Sequence, residues 1–355
     1  MALLSLIAYS YVLAQPLSPA DLYGSVNINN ARIRVKPKMT SRERNSMDEA
    51  QQTSLSDAKN SFSFLCLALV AGLIVANIVC SLAEFIIVEA YDETAGLELY
   101  VEPAFLTYTW YKQAVNLAFQ TIVLLVAVRI MRTVPTEPRE QKNLSLKDFC
   151  VFLLCCFPIE FFGALLGNLL ASVLTGGNAT NPVDLMVDNS LSSIINVVIL
   201  GPLMEEFIFR KQLIDRCGQY GEKNAILFSA LCFALFHSNL YQFFNALGTG
   251  LILGYVYIRT QKLLYPTLMH MLLNMKSGLM GMISSEGVAV AVVVVLSAAG
   301  LAALILKARK LTFLPAEKQI PREEIFRTTY LNWGFAVFFF VMLLYSFITL
   351  FVGTG

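Results

Sequence analysis

The stretch LSSIINVVILGPLMEEFIFRKQL, residues 191–213, decides what kind of fold this chain can have. Its first ten residues are apolar apart from two serines and one asparagine, as is typical of a membrane-spanning helix. Glu205 and Glu206 follow, and Arg210 stands four residues after the second glutamate. An ionisable side chain near the centre of a bilayer costs about 3 kcal/mol on insertion scales. Charged groups at this place therefore indicate a functional site inside a helical membrane protein.

The composition of the whole chain agrees with a membrane location. Of its 355 residues, 56% are hydrophobic and 14% are charged, and the mean hydropathy is +0.62. Soluble domains carry about 25% charged residues. The net charge of +1 gives no electrostatic reason to expect a nucleic-acid partner. The seven cysteines contain no C-x-x-C pair, so neither a disulfide framework nor a thiolate zinc site is expected.

Apolar runs long enough to cross a bilayer recur along the chain. We predict an all-α, polytopic membrane protein with about eight to nine spanning helices, because a helical span needs roughly 20 apolar residues. The nine predicted spans are 62–83, 113–131, 149–174, 189–209, 223–239, 242–258, 264–283, 287–306 and 329–352.

The loops between these runs are alternately basic and free of lysine and arginine. The positive-inside rule then places the N-terminus in the cytoplasm and the C-terminus outside. The predicted protein is an integral, multi-pass membrane protein with lipids as its surroundings, located in the cell membrane if its source is prokaryotic.

Both histidines of the chain fall inside predicted spans. His237 ends the sequence FALFH, residues 233–237, and His270 begins HMLLN, residues 270–274. Phe233 and His237 are four residues apart and share one helix face, as do His270 and Asn274. Polar side chains at such positions are usually functional or hydrogen-bonded within the protein.

The two adjacent glutamates should point in different directions. Glu206 and Arg210 are at i and i+4, so they can pair along one helix face. Glu205 is rotated by about 100° from Glu206, which lets it face a cavity. Pro202 has no amide hydrogen and disturbs the preceding turn, so a local break could admit water to Glu205. The predicted boundaries, however, place Glu205 near the cytoplasmic end of its span and His237 near the outer end of the next.

This set of residues suits hydrolysis of a peptide bond within a membrane. A carboxylate can take a proton from water, and the amide of Asn274 can donate a hydrogen bond to an oxyanion. Alternatively, Glu205, His237 and His270 together form a three-ligand set for Zn²⁺ with one open position. The residues alone leave the zinc site and the metal-free acid–base site open.

At these positions the sequence resembles the CPBP family, which comprises CAAX proteases and bacteriocin-processing intramembrane proteases. That family shows Glu-Glu-x-x-x-Arg, Phe-x-x-x-His and His-x-x-x-Asn in this order, and all three motifs are complete here on three different spans. The resemblance covers about residues 150–285. It implies that Glu205 is the general base, that His237 assists it, and that His270 and Asn274 stabilise the oxyanion. Glu206 and Arg210 would be positioning groups of the same site. The resemblance, like the residues alone, leaves open whether the site holds zinc.

The chain divides into four predicted parts. Residues 1–60 hold a short apolar segment and a basic cytoplasmic arm, and residues 61–148 hold accessory transmembrane helices. Residues 149–285 form the CPBP-like catalytic core, and residues 286–355 add two C-terminal transmembrane helices.

The predicted function is an intramembrane endopeptidase that cleaves membrane-embedded or lipid-associated peptides, such as a prenylated tail or a leader peptide. The alternative is a non-catalytic membrane scaffold or a bacteriocin self-immunity protein. Two further ionisable residues in predicted spans, Glu160 and Lys276, match no motif, and we interpret them as structural.

Overall fold

A computed structural model describes residues 41–95, 109–137, 139–177, 181, 190–281, 283, 285–316 and 318–352. The predicted N-terminal apolar segment and most of the basic arm, within residues 1–40, lie outside these described residues. Residues 41–60, which we assigned to the arm, are helical.

The described residues form helices and no strand, which confirms the all-α prediction. The ten helices are α1 Ser41–Ala95, α2 Thr109–Met131, α3 Leu146–Thr175, α4 Leu191–Tyr220, α5 Glu222–Phe236, α6 Leu240–Thr260, α7 Leu264–Gly281, α8 Glu286–Ala308, α9 Ile325–Thr329 and α10 Trp333–Val352.

Six of the helices described are long and apolar enough to cross a membrane, which confirms a multi-pass membrane protein. They are α1, α2, α3, α4, α8 and α10. The other three predicted spans correspond to α5, α6 and α7. Helix α5 has 15 residues and rises by about 22 Å, less than the roughly 30 Å of a hydrocarbon core. Amide, hydroxyl and lysine side chains interrupt the apolar pattern of α6 and α7. The sidedness of the loops stays a prediction.

Helix α6 packs against α3 and α5 and also contacts α7. Two glycines of α3 allow a close approach. A Cβ atom on Gly163 would lie 2.6 Å from the backbone of Asn245, and one on Gly167 would lie 2.6 Å from the carbonyl oxygen of Leu240. Small residues at such crossings let helix backbones approach closely in a membrane. Helix α6 is thereby held next to the helices that carry the site motifs.

Helix α4 is irregular on both sides of the paired glutamates. Its regular turn Gly201–Glu206 lies between two π-helical segments, Ile195–Leu200 and Phe207–Ile214. The N–H of Gly201 donates to the carbonyl of Asn196, five residues back. The next donor in that register would be Pro202, which has no N–H. The carbonyl of Val197 consequently needs a donor from elsewhere, so the predicted disturbance at Pro202 is present.

The depth of the site residues follows from the length of α4. We expected this span to end near residue 209, with a basic loop after it, but α4 continues to Tyr220 and α5 begins at Glu222. That predicted boundary was wrong. Glu205 lies 15 residues before the end of α4 and His237 lies 15 residues after the start of α5. Each position is about 22 Å along its helix from the α4–α5 turn, so the two side chains reach the same depth.

A second buried carboxylate lies at this turn. Glu222 is 4% exposed and forms ion pairs with Arg139 and Arg259. It also accepts a hydrogen bond from the backbone N–H of Leu314 at 2.7 Å. We call these four residues the Glu222 cluster. It joins the segment after α2, the start of α5, the end of α6 and the segment after α8.

Candidate active site

A cavity of about 320 Å³ lies between α2, α4, α5 and α7, and the start of α6 also contributes to its wall. Four of the six predicted site residues line it, and Glu206 and Arg210 are fully buried in contact with them. The structure therefore brings all six predicted residues together. The lining residues are Gln113, Asn116, Phe119, Gln120, Val123, Asn196, Val197, Gly201, Pro202, Met204, Glu205, Ile208, Phe209, Phe233, Phe236, His237, Gln242, His270 and Asn274.

Glu206 and Arg210 form a fully buried ion pair. Arg210 Nε lies 2.9 Å from Glu206 Oε2, and Arg210 Nη2 donates to Glu206 Oε1 at 3.2 Å. Arg210 Nη1 donates to the hydroxyl of Ser229 at 3.2 Å. The guanidinium carbon also lies 4.8 Å from the ring centroid of Phe233. A two-point contact of this kind fixes the position of the carboxylate as well as neutralising it. Glu206 is thus held in place, and the predicted pairing is present.

Glu206 also orients His270. The Nδ1 atom of His270 lies 3.1 Å from Glu206 Oε1, and because an ionised carboxylate only accepts hydrogen bonds, Nδ1 carries the proton. The opposite ring nitrogen, Nε2, lies 3.7 Å from Glu205 Oε2. His270 is 7% exposed. Arg210, Glu206, His270 and Glu205 thereby form a continuous polar chain that ends at the cavity.

His237 is oriented by its own helix. Its Nδ1 atom lies 2.8 Å from the carbonyl oxygen of Phe233, four residues back, so Nδ1 is the donor. In the tautomer with its proton on Nδ1, the other ring nitrogen, Nε2, is a hydrogen-bond acceptor. The Phe233 ring packs edge-on against both imidazoles, with centroid distances of 4.7 Å to His237 and 5.7 Å to His270. The Phe-x-x-x-His spacing is explained by this backbone contact, and Phe233 is a packing residue between the two imidazoles.

Glu205 differs from its neighbour in exposure. Its side chain is 29% exposed and faces the cavity, whereas the Glu206 side chain is 0% exposed. The rotation expected for adjacent helical residues has separated the two carboxylates as predicted. Glu205 therefore has access to water or a ligand in the cavity, with an imidazole beside it.

Asn274 supplies the donor that α4 lacks. Its Nδ2 atom donates to the carbonyl oxygen of Val197 at 2.9 Å. This is the carbonyl whose partner in the π register would be Pro202. A side-chain amide has two N–H groups, so one binds α4 and the other is available to the cavity that Asn274 lines.

The candidate zinc ligands do not converge into a ready-made metal site. Among the residues that the structure describes, no group of three or more His, Cys, Asp or Glu side chains is placed to hold a metal ion. Glu205 and His270 are adjacent, but together with His237 they do not form such a group. The residues as placed therefore do not fit the predicted three-ligand set, and zinc dependence stays a prediction without structural support.

Sequence reasoning missed part of the cavity wall. Gln113, Asn116 and Gln120 of α2 all line the cavity. Their spacing of three and four residues places them on one face of an otherwise apolar helix, which is the signal that could have found them.

Lys276 forms an ion pair with Glu160 at 2.7 Å, and neither residue lines the cavity. This geometry agrees with the structural interpretation of that pair.

Comparisons with known proteins point to one family. Residues 188–276 match the family described as Type II CAAX prenyl endopeptidase Rce1-like, and this range contains all six predicted site residues. The chain is 25% identical to "Membrane-embedded CAAX protease MroQ" of Staphylococcus aureus (strain USA300) over 165 residues, which is 43% of this chain and 66% of the relative. It is 26% identical to "Putative membrane peptidase YdiL" of Bacillus subtilis (strain 168) over 160 residues, which is 42% of this chain and 64% of the relative. In both cases the match spans slightly less than two thirds of the relative. No solved structure matches the chain.

Proposed function

We propose that the chain is an intramembrane endopeptidase of the CPBP family in which Glu205 activates water. The match of residues 188–276 to the Rce1-like family and the similarity to two membrane peptidases support this proposal. One observation carries this proposal. Two adjacent glutamates have opposite surroundings, since Glu206 is locked by Arg210 while Glu205 faces the cavity 3.7 Å from His270. A purely structural ion pair with Arg210 would need Glu206 and would not need Glu205.

The proposed reaction begins with a water molecule in the cavity next to Glu205. The carboxylate takes a proton from this water, and the oxygen attacks the carbonyl carbon of the peptide bond. The unprotonated Nε2 of His237 can accept a hydrogen bond from the same water and orient it. Glu205 then returns the proton to the leaving amine as the C–N bond breaks, so the proton count balances.

The oxyanion formed by the attack needs hydrogen-bond donors at fixed positions. The second N–H of Asn274 is one. His270 is the other, because two carboxylates, Glu206 at Nδ1 and Glu205 at Nε2, favour a doubly protonated ring that can donate from Nε2. Donors in a site of low dielectric contribute more than they would in water.

For the substrate class, the proposal is a membrane-associated peptide, first of all a prenylated C-terminal tail. The matched family is described as prenyl endopeptidases and one relative as a CAAX protease, which supports this choice. A lipid chain on the substrate would remain in the bilayer while the adjacent peptide enters the cavity. A leader peptide from a membrane-bound precursor is the second member of the class.

The test is cleavage of a peptide panel by the purified protein in lipid vesicles. The panel contains farnesylated peptides with a CAAX ending, the same peptides without the lipid, and apolar leader peptides. We expect wild type to cleave at least one lipid-associated peptide. We expect Glu205→Gln and His270→Ala to lose that activity by a factor of about 10² to 10⁴.

Two further arms separate the remaining alternatives. Activity that resists a zinc chelator would support the metal-free site, and activity that the chelator abolishes would support zinc. Activity that persists in both variants would contradict the catalytic assignment. Peptide binding without cleavage by wild type would support the non-catalytic alternative.

A further inference from the structure

Side-chain amides of α2 and α4 form two hydrogen-bonded chains at the wall of the cavity. In the first, Gln113 Nε2 donates to the hydroxyl of Ser193 at 3.1 Å, and Asn196 Nδ2 donates to Gln113 Oε1 at 2.7 Å. In the second, Gln120 Nε2 donates to Asn116 Oδ1 at 3.1 Å. Each of these bonds is assigned so that a nitrogen donates to an oxygen. In this assignment the side-chain nitrogens of both terminal amides, Asn196 and Gln120, are used within their own chains.

Each chain ends in an acceptor without a partner. Asn196 Oδ1 and Gln120 Oε1 are both buried, and neither accepts a hydrogen bond from any residue that the structure describes. Asn196 itself is 3% exposed, and both residues line the cavity. A buried amide oxygen that has lost water and gained no donor costs about 1–3 kcal/mol. Two of them in residues that line one cavity indicate that a ligand with N–H groups supplies the missing donors.

The geometry points to a binding site for the substrate main chain: we infer that Gln120 Oε1 and Asn196 Oδ1 accept hydrogen bonds from backbone N–H groups of a bound peptide. This inference rests on the proposed function for the identity of the ligand. Peptide bonds are the N–H donors that a protease must hold, and a main-chain contact suits substrates of varied sequence. The two oxygens lie on α2 and α4, in residues that line the same cavity as His237. A peptide held there would lie in the cavity that Glu205 and His270 also line.

The experiment changes the peptide rather than the protein. A fluorescent farnesylated CAAX peptide is prepared with each amide bond in turn replaced by an ester, which removes one N–H and keeps the shape. Binding is measured in lipid vesicles by fluorescence anisotropy with the full chain carrying Glu205→Gln, so that turnover does not interfere. We expect the ester at one or two positions to weaken binding about fivefold, as befits one lost hydrogen bond.

The same peptides are then measured with Gln120→Leu or Asn196→Leu added. The inference requires that each added substitution weaken binding of the all-amide peptide and remove the penalty of one particular ester, because the two changes delete the same bond. Thr121→Val is the matched control. Its hydroxyl bonds Leu117 O within α2 and makes a long contact of 3.9 Å to Met204 Sδ, and Thr121 does not line the cavity. Binding and ester sensitivity should therefore be unchanged.

Several outcomes would overturn the inference, and they are distinguishable from failure of the proposed function. Ester penalties that are the same in all variants, or binding without any ester penalty, would show that these oxygens do not hold the main chain. If wild type binds but does not cleave, the proposed function fails while the ester comparison still decides the inference. If no peptide binds, both are contradicted.

Discussion

Glu206 and Glu222 are both buried carboxylates with arginine partners, yet they lie in different surroundings. Glu206 shares its two oxygens between Arg210 and His270 beside the cavity. Glu222 shares its oxygens between two arginines and a backbone N–H, and it does not line the cavity. A buried carboxylate–arginine pair is therefore not by itself a sign of catalysis. The imidazole and the second, accessible glutamate next to Glu206 make the difference.

The largest effect on stability should come from breaking the Glu206–Arg210 pair. Glu206→Gln leaves the Arg210 charge uncompensated in a site with 0% exposure, so we expect a loss of about 3–5 kcal/mol and loss of turnover through misplacement of His270. Thermal unfolding of the protein in lipid gives the measurement. The double variant Glu206→Leu/Arg210→Met should recover much of the stability and none of the activity. A stable, active Glu206→Gln protein would mean that the pair does not position His270.

Asn274→Leu should affect both activity and stability, but less. Turnover should fall about 100-fold if the second N–H serves the oxyanion. The unfolding free energy should fall by about 1–3 kcal/mol because the carbonyl of Val197 loses its donor. Ser277→Ala is the control, since the Ser277 hydroxyl donates back to the carbonyl oxygen of Leu273 in the same helix. Full turnover in Asn274→Leu would assign Asn274 to the support of α4 alone.

Substitution in the Glu222 cluster should lower the stability of the protein without changing its turnover. Glu222→Gln leaves Arg139 and Arg259 without their charged partner, but their side chains are 20% and 19% exposed and keep some hydration. We expect a loss of about 1–3 kcal/mol and unchanged turnover per folded molecule. Glu140→Gln, in an exposed pair with Lys142, should have no measurable effect. Reduced turnover in folded Glu222→Gln protein would show that the two buried carboxylates are coupled.

The smallest effect is expected for Lys276→Met. The side chains of its pair with Glu160 are 21% and 18% exposed, and a carboxyl group left there without its partner can take up a proton and become neutral. The loss should therefore be about 1 kcal/mol, with turnover intact. The double variant Lys276→Met/Glu160→Gln should be no less stable than the single one, because the remaining acid is also removed. Both quantities come from the same unfolding and cleavage assays. A large loss of turnover in Lys276→Met would show that the Lys276–Glu160 pair has a functional role and not only a structural one.

Much of the site could be predicted because its signals are local. Motif residues four apart share a helix face, and the 100° step between Glu205 and Glu206 separates one carboxylate for pairing from one for the cavity. The all-α membrane fold could be predicted as well, because it follows from the apolar composition of the chain.

The end of α4 could not be predicted, for a physical reason. Hydropathy treats each charge as exposed, so Arg210 and Arg216 indicate a loop. In the fold Arg210 is neutralised by Glu206, and Arg216 donates to the carbonyl oxygens of Met131 and Gln212. The contacts of Gln113 and Asn274 escape prediction likewise, because they join residues about 80 positions apart.

The most direct test of the separate roles of Glu205 and Glu206 measures turnover and thermal unfolding together in Glu205→Gln and Glu206→Gln. Both proteins are assayed in the same lipid on a peptide that wild type cleaves, with turnover counted per folded molecule. The predicted result is that Glu205→Gln unfolds like wild type and is inactive, whereas Glu206→Gln is destabilised. Turnover by folded Glu205→Gln at the wild-type rate would contradict the role of Glu205 as the residue that activates water.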